Sequence, residues 1–371
     1  MKLALLTPGG VDRSGVDRCV PALLWLIERL ARRHQVHVFA FAQEPDPARW
    51  ELLGARVHNI GTSGARRRRF LEWFVAEHRV GPFDLVHGFW AGSGAYAALL
   101  GWRHRLPVML HLAGGELIAL RDIDYGGRCT LKGRLAGRIA LAAADQVTVA
   151  SAGMQRLAAA FGVHAEPVPL GVALDRWPVR QPRSREPSGP ARLLHIGDLR
   201  PVKDQATLLA AAAELRAAGV AFTLDLAGLD TMNGAMQRLA EQLDLTSVLR
   251  WHGALRRDAL RALVEEAELL LVSSRHEAGP LVVLEAAVAG VPTVGTAVGH
   301  IADWAPEAAV AVPVGDARGL AAAVRALLAD EPWRLALAHQ AQRLAIRYDA
   351  DFTAARFERM YQELIDGRFT R

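Results

Sequence analysis

The alternation of short apolar segments with helical patterns constrains the fold of this chain more than any other feature. Strand-length apolar segments such as residues 2–7 and 35–41 alternate with helical patterns, and the alternation starts again at residue 192. This pattern is typical of parallel α/β sheets. Since 371 residues exceed the usual size of one hydrophobic core, we predict two Rossmann-like domains with a cleft between them.

The predicted domains cover residues 1–172 and 173–349. The segment 178–190 contains four prolines and almost no apolar residues, which is typical of a surface connection at a domain boundary. Residues 351–365 have the pattern of a final amphipathic helix.

One stretch of the second domain, residues 273–285, combines several features of a ligand site. It follows the apolar segment 269–272, which predicts a buried strand, and Pro280 suits the first position of a helix. Glu277 then lies in a loop at the carboxyl end of a strand, and Glu285 lies about a turn and a half into the helix.

This stretch predicts a ligand that carries both phosphates and hydroxyls. Free amides at Leu281 and Val282 favour a phosphate, and the carboxylates of Glu277 and Glu285 accept hydrogen bonds from hydroxyls. A sugar nucleotide has both kinds of group. The alternative is that Glu277 is an ordinary acid near a helix start and Glu285 is a solvated helix residue.

Two other predicted loops after strands carry candidate binding residues. Arg200 and Lys203 follow the first strand of the second domain, where they would neutralise a diphosphate or serve as plain surface cations. Gly9 and Gly10 follow the first strand of the chain and would let the backbone approach a ligand closely, unless they form only a flexible turn. The sequence has no G-x-G-x-x-G dinucleotide motif.

The end of a predicted strand at residues 107–112 supplies candidates for the acceptor side of a reaction. His111 and Glu116 lie at this strand end, although a lone histidine is also common as a hydrogen-bonded structural residue. The triplet 122–124, Asp-Ile-Asp, resembles pairs that hold a metal and a diphosphate in another class of transferases. It lies in a predicted loop, so we predict no metal site.

The net charge of +5 and the pI near 9.7 favour an acidic partner. Four arginines at residues 66–69 precede Phe70, Trp73 and Phe74. They predict either contact with anionic lipid head groups or, as we favour, a solvated basic turn before core aromatics. An isolated basic run does not indicate nucleic-acid binding.

The predicted location is the cytoplasm, with peripheral contact at the inner face of the membrane if the arginines bind lipid. Cys19 and Cys129 lack metal-ligand spacing and form no disulfide framework, which fits a reducing compartment. The apolar run at the amino terminus is too short for a signal peptide. No apolar run of the sequence approaches the length of a membrane-spanning helix.

Taken in order and spacing, the motifs resemble those of the retaining glycosyltransferases of the GT-B fold, in the family four group (glycosyl transferases group 1). The resemblance covers almost the whole chain. It rests on the glycine loop at 9–15, the Val-Pro-Leu-Gly-Val segment at 168–172, the loop at 197–203, the glutamates Glu277 and Glu285, and the segment 289–294.

The resemblance implies a nucleotide-diphosphate sugar as donor, with no cofactor and no metal. Lys203, with a nearby arginine such as Arg200, would hold the diphosphate. Glu277 would contact the hydroxyls of the donor sugar, and Glu285 those of the ribose. The candidate catalytic residues are therefore Glu277 and Lys203, together with His111 from the acceptor half.

Backbone contacts would complete the implied donor site. The sugar and phosphates would contact the backbone of residues 279–282, namely Gly279, Pro280, Leu281 and Val282. The base would contact the backbone near Leu255. Gly10 would approach the diphosphate from the first domain. The final helix, at about 350–371, would pack back on the first domain.

The donor half largely keeps the family pattern, whereas the acceptor half is not standard. Asp198 replaces an arginine of the donor half and Ala278 a glycine, whereas Ala113 and Phe89 stand where the family often has histidines. The place of His111 is therefore also non-standard, and either His111 or Glu116 could take part.

We therefore predict a retaining, hexosyltransferase-like enzyme that moves a sugar from a nucleotide-diphosphate sugar to an acceptor hydroxyl in cell-envelope or glycoconjugate biosynthesis. The acceptor would be a saccharide, a lipid-linked molecule or a small molecule. The alternatives are a nucleotide-sugar-binding protein without transfer activity and an epimerase-like enzyme of the same architecture.

Overall fold

The computed structural model of the protein describes residues 1–186 and 189–369. It divides into two compact units, of which unit 1 is Met1–Ala173 with Tyr348–Arg371 and unit 2 is Leu174–Arg347. The predicted linker at 178–190 lies inside unit 2, and its residues 187 and 188 are outside the described part. No helix of the described residues is both long and apolar enough to cross a bilayer.

Unit 1 is built on an eight-stranded sheet with the order β3-β4-β2-β1-β5-β6-β7-β8. Its strands are β1 (Lys2–Thr7), β2 (Gln35–Ala40), β3 (Ala48–Leu52), β4 (Ala55–Asn59), β5 (Leu85–Phe89), β6 (Val108–Leu112), β7 (Gln146–Val149) and β8 (Glu166–Pro167). All neighbours pair in parallel except β3 and β4.

Helices cover both faces of this sheet. They are α1 (Pro21–Ala31), α2 (Arg66–Val80), α3 (Trp90–His104), α4 (Leu131–Ala143) and α5 (Ala152–Ala159). Helix α1 begins only at Pro21, and Val16 is an exposed residue of the loop before it. Strand β3 was not predicted from the sequence. It forms a hairpin with β4 through Leu53 and Gly54, both with positive φ, as a two-residue type I′ turn requires.

Unit 2 has a six-stranded parallel sheet in the order β11-β10-β9-β12-β13-β14. The strands are β9 (Ala191–Ile196), β10 (Phe222–Ala227), β11 (Leu249–Gly253), β12 (Leu269–Val272), β13 (Thr293–Thr296) and β14 (Val310–Val312). Its helices are α6 (Gln205–Ala217), α7 (Ala235–Gln242), α8 (Arg257–Glu266), α9 (Leu281–Val288), α10 (Gly299–Trp304), α11 (Ala317–Ala329) and α12 (Glu331–Arg347). The two predicted α/β sheets are thus confirmed, and the order in unit 2 is that of a Rossmann sheet.

The last helix, α13 (Ala350–Phe369), packs in the core of unit 1. Phe357 and Tyr361 are fully buried in the cluster that also contains residues of α1 and the sheet. Arg356 binds both carboxylate oxygens of Glu166, at 2.6 and 2.7 Å. The Thr353 hydroxyl donates to Pro169 O (2.7 Å) and accepts from Gly171 N (3.0 Å), which ties the helix to the segment after β8.

We predict that Thr353→Val weakens the anchoring of α13. The substitution keeps the side-chain shape but leaves the buried Gly171 N and the partly buried Pro169 O without their partner, which costs about 1–3 kcal/mol of unfolding free energy. Urea unfolding of the full chain measures this loss, with the exposed Thr62→Val as the matched control. Equal stability of the two variants would contradict the anchoring role.

Candidate functional site

The candidate site lies at the carboxyl edge of the sheet in unit 2. β9 and β12 are adjacent, and the strand order runs outward in opposite directions from them. Such a switch point leaves a crevice where ligands bind in open α/β sheets. The loop after β9, which contains a short 3-10 turn at Pro201–Lys203, therefore meets the loop after β12.

An ion pair joins these two loops. Lys203 Nζ lies 2.6 Å from Glu277 Oε1, and the side chains keep 25% and 14% of their exposure. The Ser274 hydroxyl donates to the same carboxylate oxygen at 2.6 Å. The pair is thus only partly shielded from solvent, and an arriving ligand can reach both charges.

Backbone contacts hold the two loops in register. Ser273 Oγ donates to Lys203 O at 2.8 Å, and Arg275 N donates to Val202 O at 2.8 Å. Thr296 Oγ1, at the end of β13, donates to Ser274 O at 2.5 Å. Because these donors and acceptors are fixed, the Lys203–Glu277 pair sits on a rigid base.

Helix α9 starts beside this ion pair and carries the second predicted glutamate. Pro280 is the residue before the helix, not its first residue as predicted, and Leu281 is the first. Within the described residues, the amides of Leu281 and Val282 have no hydrogen-bond acceptor. Glu285 is 5% exposed, and burial raises its pKa to about 7 although Arg257 partly opposes the shift.

Close packing fixes where α9 begins. Gly299 has φ +48°, and a Cβ there would lie 2.7 Å from Pro280 Cδ and 3.1 Å from Glu277 O. Gly279 is half-buried in the turn before Pro280, and Ala278 is buried. A larger residue at 299 would therefore displace both the helix start and Glu277.

Two other predicted donor-site residues of unit 2 occupy nearby loops. Arg200 is 57% exposed and pairs with Asp198 at 3.2 Å, so an aspartate partly neutralises the cation that was expected to bind phosphate. Leu255 is half-buried in the loop between β11 and α8, where its backbone follows the carboxyl end of a strand.

Two side chains near Glu277 are not among the residues that the sequence predicted for the site. One is Ser274, which orients the carboxylate and could have been suspected from its place at a strand end. The other is His300, at the start of α10. Burial lowers the pKa of His300 to about 4, and the negative charge of Glu277 partly offsets that effect, so the two groups are near neighbours.

Gly10, the predicted contact in unit 1, has φ +85° in the loop between β1 and α1. A Cβ would lie 2.7 Å from Val20 Cγ2, so the fold itself requires glycine there. Its amide donates to Gln43 Oε1 at 2.7 Å. The Gly10 amide is therefore engaged within unit 1 and is not free for a phosphate.

The structure does not bring His111 to a ligand-accessible position. Its side chain is 0% exposed, packs against Phe89 and Phe357, and has Nδ1 2.9 Å from Thr148 Oγ1. Burial lowers its pKa to about 3. His111 is therefore a neutral core residue, and it matches the alternative of a hydrogen-bonded structural histidine.

Glu116 keeps a carboxyl group with unusual properties. Burial raises its pKa to about 7 against the effect of the Gly114 and Ala113 amides, which donate to its two oxygens at 2.9 and 3.3 Å. It thus closes the turn after β6. Asp122 lies in a short 3-10 turn, Arg121–Ile123, and Asp124 follows it; both are exposed and lie at no strand end.

The described residues contain one group with the donor set of a metal site, His37, His58 and Glu77 in unit 1. His37 Nδ1 lies 3.1 Å from His58 Nε2, so one ring donates to the other. Lys2 and Arg56 both lower the pKa of His37 after burial, and these cations would also oppose a metal ion. The group belongs to the core of unit 1 and not to the site in unit 2.

Two family descriptions match consecutive parts of the chain. "Glycosyl transferases group 1" matches residues 179–344 and "Glycosyl transferase 4-like domain" matches residues 19–171. A D-inositol 3-phosphate glycosyltransferase of Geodermatophilus obscurus is 30% identical over 281 residues, which are 68% of this chain and 61% of that protein. A glycogen synthase of Mycobacterium tuberculosis is 34% identical over 162 residues, and the match spans 43% of this chain and 39% of that protein.

Solved structures share the fold at low sequence identity. Sucrose-phosphate synthase of Thermosynechococcus elongatus superimposes with a TM-score of 0.82 and 20% identity, over 99% of this chain and 100% of that one. HepE of Anabaena, solved with UDP-glucose, has a TM-score of 0.76 and 16% identity, over 98% and 100%.

We predict that Glu285→Gln stabilises the protein more at pH 8 than at pH 5.5. Folding raises the pKa of the Glu285 carboxyl to about 7. The wild type is therefore most stable below the pKa of this group in the unfolded chain, and it loses stability as the pH rises from there to about 7. The gain of the variant over the wild type should therefore grow by about 2 kcal/mol across this range. Urea unfolding at both pH values measures this gain in stability, with the exposed Glu307→Gln as control. A gain that does not change with pH would show that burial does not raise the pKa of Glu285.

Proposed function

The chain belongs to the glycosyl transferases group 1 family, and on this premise we propose that it moves a sugar from a nucleotide-diphosphate sugar to an acceptor hydroxyl. We further propose that the reaction retains the anomeric configuration, that the sugar is a hexose, and that neither a metal nor a cofactor takes part. The chain spans only 39% of the length of the glycogen synthase that it matches, so the identities of its donor and acceptor are proposals.

The observation that carries the proposal is the Lys203–Glu277 pair beside the start of α9. A diphosphate needs positive charge and N–H donors, which Lys203 Nζ and the amides of Leu281 and Val282 supply. A sugar needs acceptors for its hydroxyls, which the second oxygen of Glu277 supplies. One small area thus offers partners for both halves of a sugar diphosphate.

The proposed chemistry needs stabilisation of a leaving diphosphate. The acceptor oxygen forms a bond to the anomeric carbon on the face that the diphosphate leaves, while the bond from that carbon to the phosphate oxygen breaks. The acceptor proton goes to the departing phosphate. Lys203 and the α9 amides oppose the developing negative charge, and fixed donors of this kind need little reorganisation.

Glu285 fits the nucleoside end of the donor in this proposal. A desolvated carboxylate forms strong hydrogen bonds with a pair of ribose hydroxyls. The cost of burying the ion in the free protein is then offset only when the ligand is bound. UDP-sugars are the first donors to test, because HepE was solved with UDP-glucose.

We predict that Lys203→Ala lowers turnover by about two to three orders of magnitude, the scale of a lost oxyanion-type donor. Release of nucleoside diphosphate from the donor measures the rate. Arg216→Ala is the matched control, since Arg216 is a half-exposed cation of unit 2 paired with Asp244. Activity of Lys203→Ala close to that of the control would remove Lys203 from the mechanism.

A panel of nucleotide sugars tests the function as a whole. One donor is expected to raise the melting temperature and to be hydrolysed slowly to the nucleoside diphosphate. Proton NMR should show the α-anomer as first product from an α-linked donor. A stabilising donor that is never cleaved, with any acceptor, would indicate a binding protein, and interconversion of the free nucleotide sugars would indicate an epimerase.

A further inference from the structure

Unit 1 has an apolar groove that the proposed sugar transfer leaves unexplained. The groove has a volume of about 610 Å3 and lies between α3 and α4, beside the carboxyl ends of β1 and β2. Its walls are mostly apolar side chains, among them Phe41, Trp90, Tyr96, Leu99, Leu135 and Ile139. We call it the α3–α4 groove. Because ligands bind at this edge of parallel sheets, the position suits a binding site.

Helix α4 turns its apolar side chains outward. Leu131, Leu135 and Ile139 follow at intervals of four residues and are 81%, 58% and 45% exposed, whereas Ala140 is the buried residue of the helix. A Cβ on Gly94 of α3 would lie 2.9 Å from the Ala140 Cβ, so α3 and α4 pack through small residues. This is the reverse of an ordinary surface helix and marks an interaction surface.

Cations surround the apolar wall. Arg66, Arg67 and Lys132 line the α3–α4 groove, and Arg67 and Lys132 are exposed. The other two arginines of the run have local partners, since Arg68 pairs with Glu72 at 2.6 Å and Arg69 donates to Ile60 O at 2.6 Å. Arg66 and Arg67 lie at the positive, amino-terminal end of the α2 dipole, so their charges do not stabilise that helix.

The aromatic side chains beside the arginine run do not contribute to this surface. Phe70 and Phe74 are fully buried, and Trp73 stacks under Arg49, whose guanidinium carbon is 4.3 Å from the ring centre. The sequence therefore indicated the cations, but the apolar half of the surface comes from α3 and α4.

We propose that the α3–α4 groove binds an anionic lipid of a bilayer, with an acyl chain along Leu99, Leu135 and Ile139 and the acidic head group against Arg66, Arg67 and Lys132. An outward apolar wall beside cations is the pattern that holds proteins at anionic membrane surfaces. A soluble polyanion would satisfy the cations but leave the wall in water. The inference concerns unit 1 alone and does not rest on the proposed transfer.

Vesicle sedimentation of the full chain, without any donor, tests the proposal. The wild type should bind phosphatidylcholine vesicles that contain phosphatidylglycerol and bind pure phosphatidylcholine much more weakly. Arg67→Glu should lower partitioning about fivefold or more, the scale of one cation near an anionic surface. Arg79→Glu is the control, because Arg79 is an exposed arginine of the same helix but outside the groove.

A second variant tests the apolar half of the site. Leu135→Glu should abolish vesicle binding in low salt and in 0.5 M salt, whereas the effect of Arg67→Glu should shrink in high salt because screening weakens the charge term. Both positions are exposed, so unchanged melting temperatures are expected. The proposal is overturned if the wild type binds both vesicle types equally or not at all, if Leu135→Glu binds as the wild type does, or if Arg79→Glu weakens binding as much as Arg67→Glu.

Discussion

The adjacency of β9 and β12 is the constraint on which the candidate site depends. These strands are separated by more than 70 residues of sequence, and the sheet order places them side by side at the switch point of unit 2. Their following loops therefore meet, and Lys203 reaches Glu277 at 2.6 Å. The hydrogen bonds of Ser273 and Arg275 to the Lys203 loop hold that contact in place.

Charge is kept at this edge in two different ways. Lys203 and Glu277 neutralise each other while staying accessible, so a ligand can exchange their mutual contact for contacts of its own. Glu285 is a buried residue of α9, and desolvation raises the pKa of its carboxyl group to about 7. Carboxyl groups with perturbed pKa values are common at functional sites. Burial strengthens the hydrogen bonds that such a group forms with a ligand, and it lowers the stability of the free protein.

Unit 1 shows how tertiary packing changes the meaning of a sequence motif. His111 comes at a strand end, as a ligand-site histidine would, but it faces the core between the sheet and α13. The basic run at residues 66–69 comes before aromatic residues that are themselves buried. Arg66 and Arg67 instead line a groove with apolar residues of α3 and α4, two helices that come later in the sequence.

The sequence by itself determined the two α/β sheets and placed loops after the strands now seen as β9 and β12, because strand and helix periodicity and the positions of glycine and proline act locally. It also singled out Glu277, Glu285 and Lys203 as candidate site residues. Only the tertiary structure decided that Lys203 pairs with Glu277, that Arg200 is taken by Asp198, and that His111 is core. Those outcomes depend on strand order and side-chain burial, which bring together residues far apart in the chain and which no local pattern encodes.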